Sequence, residues 1–259
     1  MLKGKYQLYV IAIVIVLQSC MGGSSLDPNT DPNEEFGVPC PGLASVVHYG
    51  KTYNTVQIGN QCWLKENIDV GTMIPSNQEQ ADNGVIEKFC FNNDVTNCDK
   101  YGGLYEWDEV MQYTHGEKSQ GLCPDGFHIP TDDEFKELEG GLDSNFGPGN
   151  AEWDDFQWRG FDAGGKLKAT GLDHWQGPNY GATNSSGFSA LPHCYREWNA
   201  STQNADNQFS GFTAYLCLWT STENDEGTVK RRALSYFLSG VYRSNHDKNF
   251  GYSLRCIKD

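Results

Sequence analysis

Within GLCPDGFHIPTDDEFKEL, residues 121–138, one histidine and three acids fall inside seven positions: His128, Asp132, Asp133 and Glu134. Those types could hold a divalent cation or run acid–base chemistry. A local account competes. Thr131 at the N-cap with Glu134 three residues on forms a capping box ahead of the amphipathic pair Phe135 and Leu138. All three acids then sit in the first helical turn, where the dipole favours negative charge. Pro130 holds Ile129 extended, as a strand end requires. Only His128 is left over, and a lone histidine beside a strand is more often a hydrogen-bonded structural residue than a ligand. The stretch reads as a strand–cap–helix junction, with no catalytic residue and no metal at His128.

Other chemistry finds little footing. Neither a G-x-S-x-G nucleophile elbow nor a phosphate-binding glycine loop occurs. No C-x-x-C pair supports a zinc ribbon or a thioredoxin-type redox motif. A carboxylate pair for glycoside hydrolysis is a spatial feature that spacing does not reveal. The expectation is a protein that is not an enzyme.

The N-terminus places Lys3 and Lys5 before an apolar run from Leu8 to Leu17 and then Cys20. Ten apolar residues span roughly 15 Å as a helix, half a hydrocarbon core, so the run is a signal h-region and not a membrane span. Leu17-Gln18-Ser19-Cys20 resembles a bacterial lipobox, which makes residues 1–19 a signal peptide and Cys20 the lipidated N-terminus; the alternative is an ordinary signal cleaved near Ser19. Residues 20–39, rich in Gly, Ser, Asp, Asn and Pro, read as a flexible tether. From Cys40 to Asp259 one domain follows, with no recurring period of 20–50 residues.

Lysine and arginine number 19 against 34 acids, a net charge of −15; without Lys3 and Lys5 the balance is 17 against 34, or −17. Such a surface repels nucleic acid. Eight of the nine cysteines remain once Cys20 is set aside, an even number that suggests four disulfides in an exported chain.

Helical signals are few. Leu104, Trp107 and Met111 share one face of a short helix, and Phe135, Leu138 and Leu142 a second, which Gly140-Gly141 could end. Strands are expected at Thr55–Ile58, Tyr215–Thr220, Ala233–Val241 and Tyr252–Ile257, the last half-buried with Tyr252, Leu254 and Cys256 inward. The turn-rich stretch 145–186 is longer than a core alone needs. The fold class is α+β with two short helices.

Seven ordered stretches carry a resemblance: IGNQCWLKENI (58–68), YGGLYEW (101–107), CPDGFHIPTDDEF (123–135), GGKLKATG (164–171), GFSALP (187–192) with Tyr195-Arg196, LWTSTE (218–223) and GYSLRCIKD (251–259). Together, across Thr55 to Asp259, they resemble the Fibrobacter succinogenes major paralogous domain. The resemblance implies an exported protein or lipoprotein. It also implies a C-type-lectin-like fold, closest to its formylglycine-generating-enzyme version, with small twisted antiparallel sheets, long loops and disulfide staples. Family-like pairing implies Cys40–Cys62, Cys90–Cys98, Cys123–Cys256 and Cys194–Cys217. Enzymes of related fold use two nearby late cysteines, or iron on a His-x-x-x-His-x-Glu motif. Cys256 has no such neighbour, and the six histidines never take that spacing.

The function expected is a binding or adhesion module for a glycan or a surface protein, lipid-anchored in the outer membrane and facing outward. An accessory subunit of an outer-membrane β-barrel transport, secretion or assembly complex is the alternative. Trp153, Trp158, Trp175 and Tyr180, with Phe156 and Phe161, are the candidate ligand-contact rings, since flat rings stack on sugars and anchor protein partners; the competing account puts them in the core. Glu223, Asn224 and Asp225 resemble half of a lectin calcium site, for which a hairpin turn is the simpler reading. No other cofactor is expected.

Overall fold

Alternation and tight turns build the first sheet. In this computed structural model, β1 (Ser45–His48) and β2 (Lys51–Ile58) pair antiparallel across Tyr49-Gly50. Both turn residues have positive φ, 47° and 77°, as a two-residue hairpin loop demands. β3 (Gln61–Leu64) follows after a second tight turn and is wholly buried. The structure describes residues 37–193, 195–197, 209–224 and 227–259; Cys20, Cys194, Asp225 and nearly all of the expected tether lie outside them.

Next come a short parallel pair, β4 (Thr72–Met73) and β5 (Glu87–Lys88), and two helices, α1 (Val95–Tyr101) and α2 (Trp107–Val110). β6 (Phe127–His128) leads into α3 (Asp132–Leu142), then β7 (Gln157–Arg159), α4 (Ala163–Leu167) and the pair β8 (Tyr195–Arg196) and β9 (Phe209–Ser210). The chain closes with β10 (Tyr215–Glu223), β11 (Val229–Ser235), β12 (Val241–His246) and β13 (Ile257–Lys258). The larger sheets run β1-β2-β3-β13-β6 and β10-β11-β12-β7. The architecture is α+β.

Helices α1 and α4 were not expected. α1 is capped by Asp94, whose carboxylate accepts from Thr96 N, but its sequence, VTNCDKY, carries no long apolar stripe. α3 runs through Gly140-Gly141 to Leu142 instead of ending there. The glycine is needed for closeness: a Cβ on Gly140 would lie 2.7 Å from Pro148 Cα and 2.9 Å from Trp153 Nε1. Ala233–Val241 is not one strand but the end of β11, a turn and the start of β12. Residues 252–257 are buried on both faces rather than one, because Ser253 bridges to Leu218 and Arg255 turns inward to Asn67 Oδ1 and Phe188 O.

Apolar clusters pack against both faces of the β10–β7 sheet. Leu216, Leu218, Leu234 and Val241 pack toward Phe135, Leu138 and Leu142 of α3. Cys217, Trp219 and Ala233 belong to a second cluster with Trp107, Tyr105 and Tyr252. Among the described residues three disulfides form: Cys40–Cys62, Cys90–Cys98 and Cys123–Cys256. The expected Cys194–Cys217 bridge is corrected, since Cys217 is a free, buried cysteine. Its Sγ faces the Arg231 guanidinium and accepts from Nη1 at 3.4 Å.

Candidate functional site: an aromatic cavity on the four-stranded sheet

The His128 junction is structural. Thr131 Oγ1 accepts from Glu134 N at 3.1 Å, and Glu134 Oε2 accepts from Thr131 N at 2.8 Å, closing the capping box. His128 spans two carboxylates, with Nε2 2.9 Å from Glu134 Oε1 and Nδ1 2.7 Å from Asp259 Oδ1. Burial works against the imidazolium, but these two acids together carry the His128 pKa above its ordinary value. Burial likewise opposes ionisation of Glu134, yet His128, the Thr131 amide and Lys118 bring it down to about 2. Both ring nitrogens are engaged by carboxylates.

The first-turn acids do more than oppose a dipole. Asp132 is buried and contacts both Arg232 and Arg243, while Glu139 is buried against Arg159 and Arg232. Against the penalty of burial, the Arg243 hydrogen bonds and the Arg232 charge hold the Asp132 carboxyl far below the usual range. This network lies on the α3 face of the sheet. Spacing gave no hint of it, because its five members come from four elements.

The opposite face opens into a cavity of about 430 Å³, within the usual range for ligand pockets. Its floor follows from register. Cys217 lies opposite Ala233, Ala233 opposite Tyr242, and Tyr242 opposite Trp158 of β7. Two residues along, Arg231 lies between Trp219 and Ser244. Tyr195, Phe250 and Tyr252 complete the walls, with Tyr215 and Glu197 at the margin.

Among the described residues, Arg231 is the only lysine or arginine in that lining. Its guanidinium sits 5.2 Å from the Tyr242 ring and 5.3 Å from the Tyr252 ring, a flanked cation–π position. Burial disfavours the charge, but Cys217 and the surrounding tyrosines hold its pKa above the ordinary value. Burial pushes the Cys217 thiol up in spite of that neighbour, so the thiol is not an activated nucleophile. His246, 4.1 Å from the Phe250 ring centroid and edge-on to it, is brought down to about 4 by burial and then by Arg231. Arg231 Nε, Ser244 Oγ and His246 Nδ1 are buried without a hydrogen-bond partner.

Of the rings singled out from sequence, Trp158 lines this cavity, 5.1 Å from Tyr242. Trp153 and Trp175 are corrected to core residues, each 1% exposed. The reason is that their indole N–H groups donate inward, to Gly147 O and Ala190 O. Tyr180 is exposed and lies outside the cavity, as are Phe161 and Phe156; Phe156 receives Arg243 on its ring at 4.6 Å. Glu223 pairs with Lys248 at 2.6 Å and with His115 at 3.2 Å. Asn224 Oδ1 accepts from Thr228 N at 3.0 Å, a hairpin turn. Glu223 is thus already matched by a cation, and among the described residues no three His, Cys, Asp or Glu side chains converge as a metal set.

Reading from sequence missed Tyr195, Arg231, Tyr242, His246 and Tyr252. The strand expected at Ala233–Val241 contained neither Arg231 nor Tyr242, and their juxtaposition needed the register of β11 and β12. The family model of the Fibrobacter succinogenes major domain matches residues 56–258. No curated protein and no solved structure matches the chain.

Proposed function

Because the chain belongs to the Fibrobacter succinogenes major domain family, we propose that it is a non-catalytic, glycan-binding surface lipoprotein with a C-type-lectin-like fold. Cys20 carries the lipid, residues 20–39 are the tether, and the domain from Cys40 faces the cell exterior from the outer membrane. The observation that supports this reading is the open cavity walled by Trp158, Tyr195, Tyr242 and Phe250. Ring faces of this kind take the C–H faces of sugars while the tyrosine hydroxyls reach polar substituents. A buried, unactivated thiol and a depressed histidine offer no evident nucleophile or base near neutral pH, which favours binding over turnover. Among the described residues no helix is long and apolar enough to cross a membrane.

Two experiments test the reading. A glycan array probed with the purified protein should give signal that Trp158→Ala and Tyr242→Ala abolish at unchanged melting temperature. Native pull-down that recovers a stoichiometric β-barrel protein, with a silent array, would instead make the chain an accessory subunit. Cys20→Ser should release the protein from membranes into a soluble exported fraction. Protease shaving of intact cells should digest the wild type; survival until lysis would place it in the periplasm and end the adhesion reading.

A further inference from the structure

We propose that the cavity selects sugars bearing a carboxylate, with Arg231 as the group that binds it; this rests on the glycan-binding reading above. The other arginines are all engaged by acceptors of this chain. Arg159, Arg196, Arg232 and Arg243 each pair with an acid. Arg255 is held by Asn67 Oδ1 and Phe188 O. Arg231 has no carboxylate partner among the described residues, in a chain with 34 acids against 19 lysines and arginines. An uncompensated, largely desolvated guanidinium is costly, and an incoming carboxylate removes that cost on binding.

Geometry sets the class of ligand. The Tyr242 and Tyr252 rings flank the guanidinium, so its remaining bonds must be made at its edge. Nη1 is used by Cys217 Sγ and Nε is buried without a partner, which leaves Nη2 as the nitrogen that meets a ligand. A guanidinium nitrogen without a partner suits a carboxylate oxygen, which it meets with a charge-assisted hydrogen bond. One cation, with no second among the described lining residues, matches a single negative charge better than a phosphate. Glu197 at the same margin would repel a second acid but accept from a hydroxyl. A ligand with one carboxylate, several hydroxyls and an apolar ring face satisfies all three requirements, and a uronic or sialic acid residue is such a ligand.

Calorimetric titration of the purified full-length protein with glucuronate, galacturonate and N-acetylneuraminate, against glucose and galactose, tests this. At least one acid should bind about 10- to 100-fold tighter than the neutral sugars, the range of a charge-assisted bond. Methyl esterification should erase the preference. Arg231→Gln should also erase it, Arg231→Lys should retain part of it, and Trp158→Ala should weaken acid and neutral sugars alike. The preference within the wild type decides the matter even if an Arg231 variant fails to fold. Equal binding of acids and neutral sugars overturns the carboxylate inference and leaves the glycan pocket standing. Stronger binding of sulfated sugars also overturns it. If no sugar binds, or a short peptide with a free C-terminus binds in place of sugars, the inference falls together with the reading beneath it.

Discussion

Asp132 and Arg243 meet in a two-pronged contact between the first turn of α3 and the inner face of β12. Asp132 Oδ1 accepts from Arg243 Nε at 2.8 Å and Oδ2 accepts from Nη2 at 2.6 Å. Arg232 Nη1 shares Oδ1 at 2.8 Å. Asp132→Asn keeps the volume but leaves the Arg243 guanidinium without its carboxylate and Arg232 with Glu139 alone. The expected cost is about 3–5 kcal/mol, because breaking a buried ion pair leaves the other charge uncompensated. Chemical denaturation should show it as a lower midpoint at unchanged slope. A loss below about 1 kcal/mol would mean that the network carries no such weight.

At the same helix end, Thr131→Ala removes the side chain that accepts from Glu134 N. About 1 kcal/mol should be lost in the same assay. His128→Ala should leave divalent-metal content unchanged, measured by elemental analysis of the purified protein. A stoichiometric metal lost only from that variant would restore the site reading of the junction.

His193 is fully buried and stacked near Tyr101, with Nδ1 2.9 Å from Ser253 Oγ. Burial brings its pKa down to about 3. The folded state therefore refuses a proton that the unfolded chain takes up near pH 6.5. Stability associated with this group is full above pH 6.5 and drains as pH falls toward 3. Other groups titrate in the same window, so the informative quantity is a difference. Between pH 7 and pH 5 the wild type should lose about 2 kcal/mol more than His193→Gln. Parallel pH profiles for the two proteins would refute the assignment.

Peptide mapping without reductant should recover Cys40–Cys62, Cys90–Cys98 and Cys123–Cys256, with Cys217 alkylated only after denaturation. Opening Cys123–Cys256, which spans 133 residues, should cost most, roughly 4–5 kcal/mol on the loop-entropy account. Opening Cys90–Cys98, which spans 8, should cost about 2–3 kcal/mol. A reversed order would show that native-state strain, not loop length, governs these bridges.

Local chemistry was legible where neighbours in sequence are neighbours in space. Thr131, Glu134 and Phe135 specify a capped helix because a cap is a three-residue interaction, and it forms as read. Tyr215 to Thr220 reads as a strand for the same reason, and seven ordered motifs sufficed to identify the family. Short-range signals failed where a distant partner overrode them. Gly140 remains helical because Pro148 and Trp153 press against it, and Arg255 turns inward because Asn67 and Phe188 receive it.

The cavity belongs wholly to tertiary structure. Trp158, Tyr195, Cys217, Arg231, Tyr242 and Tyr252 come from six strands or strand-like segments, and no spacing relates them. Their convergence depends on the register of β10, β11, β12 and β7, since a slip of one residue would send Arg231 to the α3 face and Arg232 to the cavity. The sequence determined that neighbouring positions on β11, β12 and β7, Arg231-Arg232, Tyr242-Arg243 and Trp158-Arg159, must point to opposite faces. Only packing decided which arginine met the acids of α3 and which was left facing an open site, because hydrophobic burial against α3 chooses the inward face of the whole sheet at once.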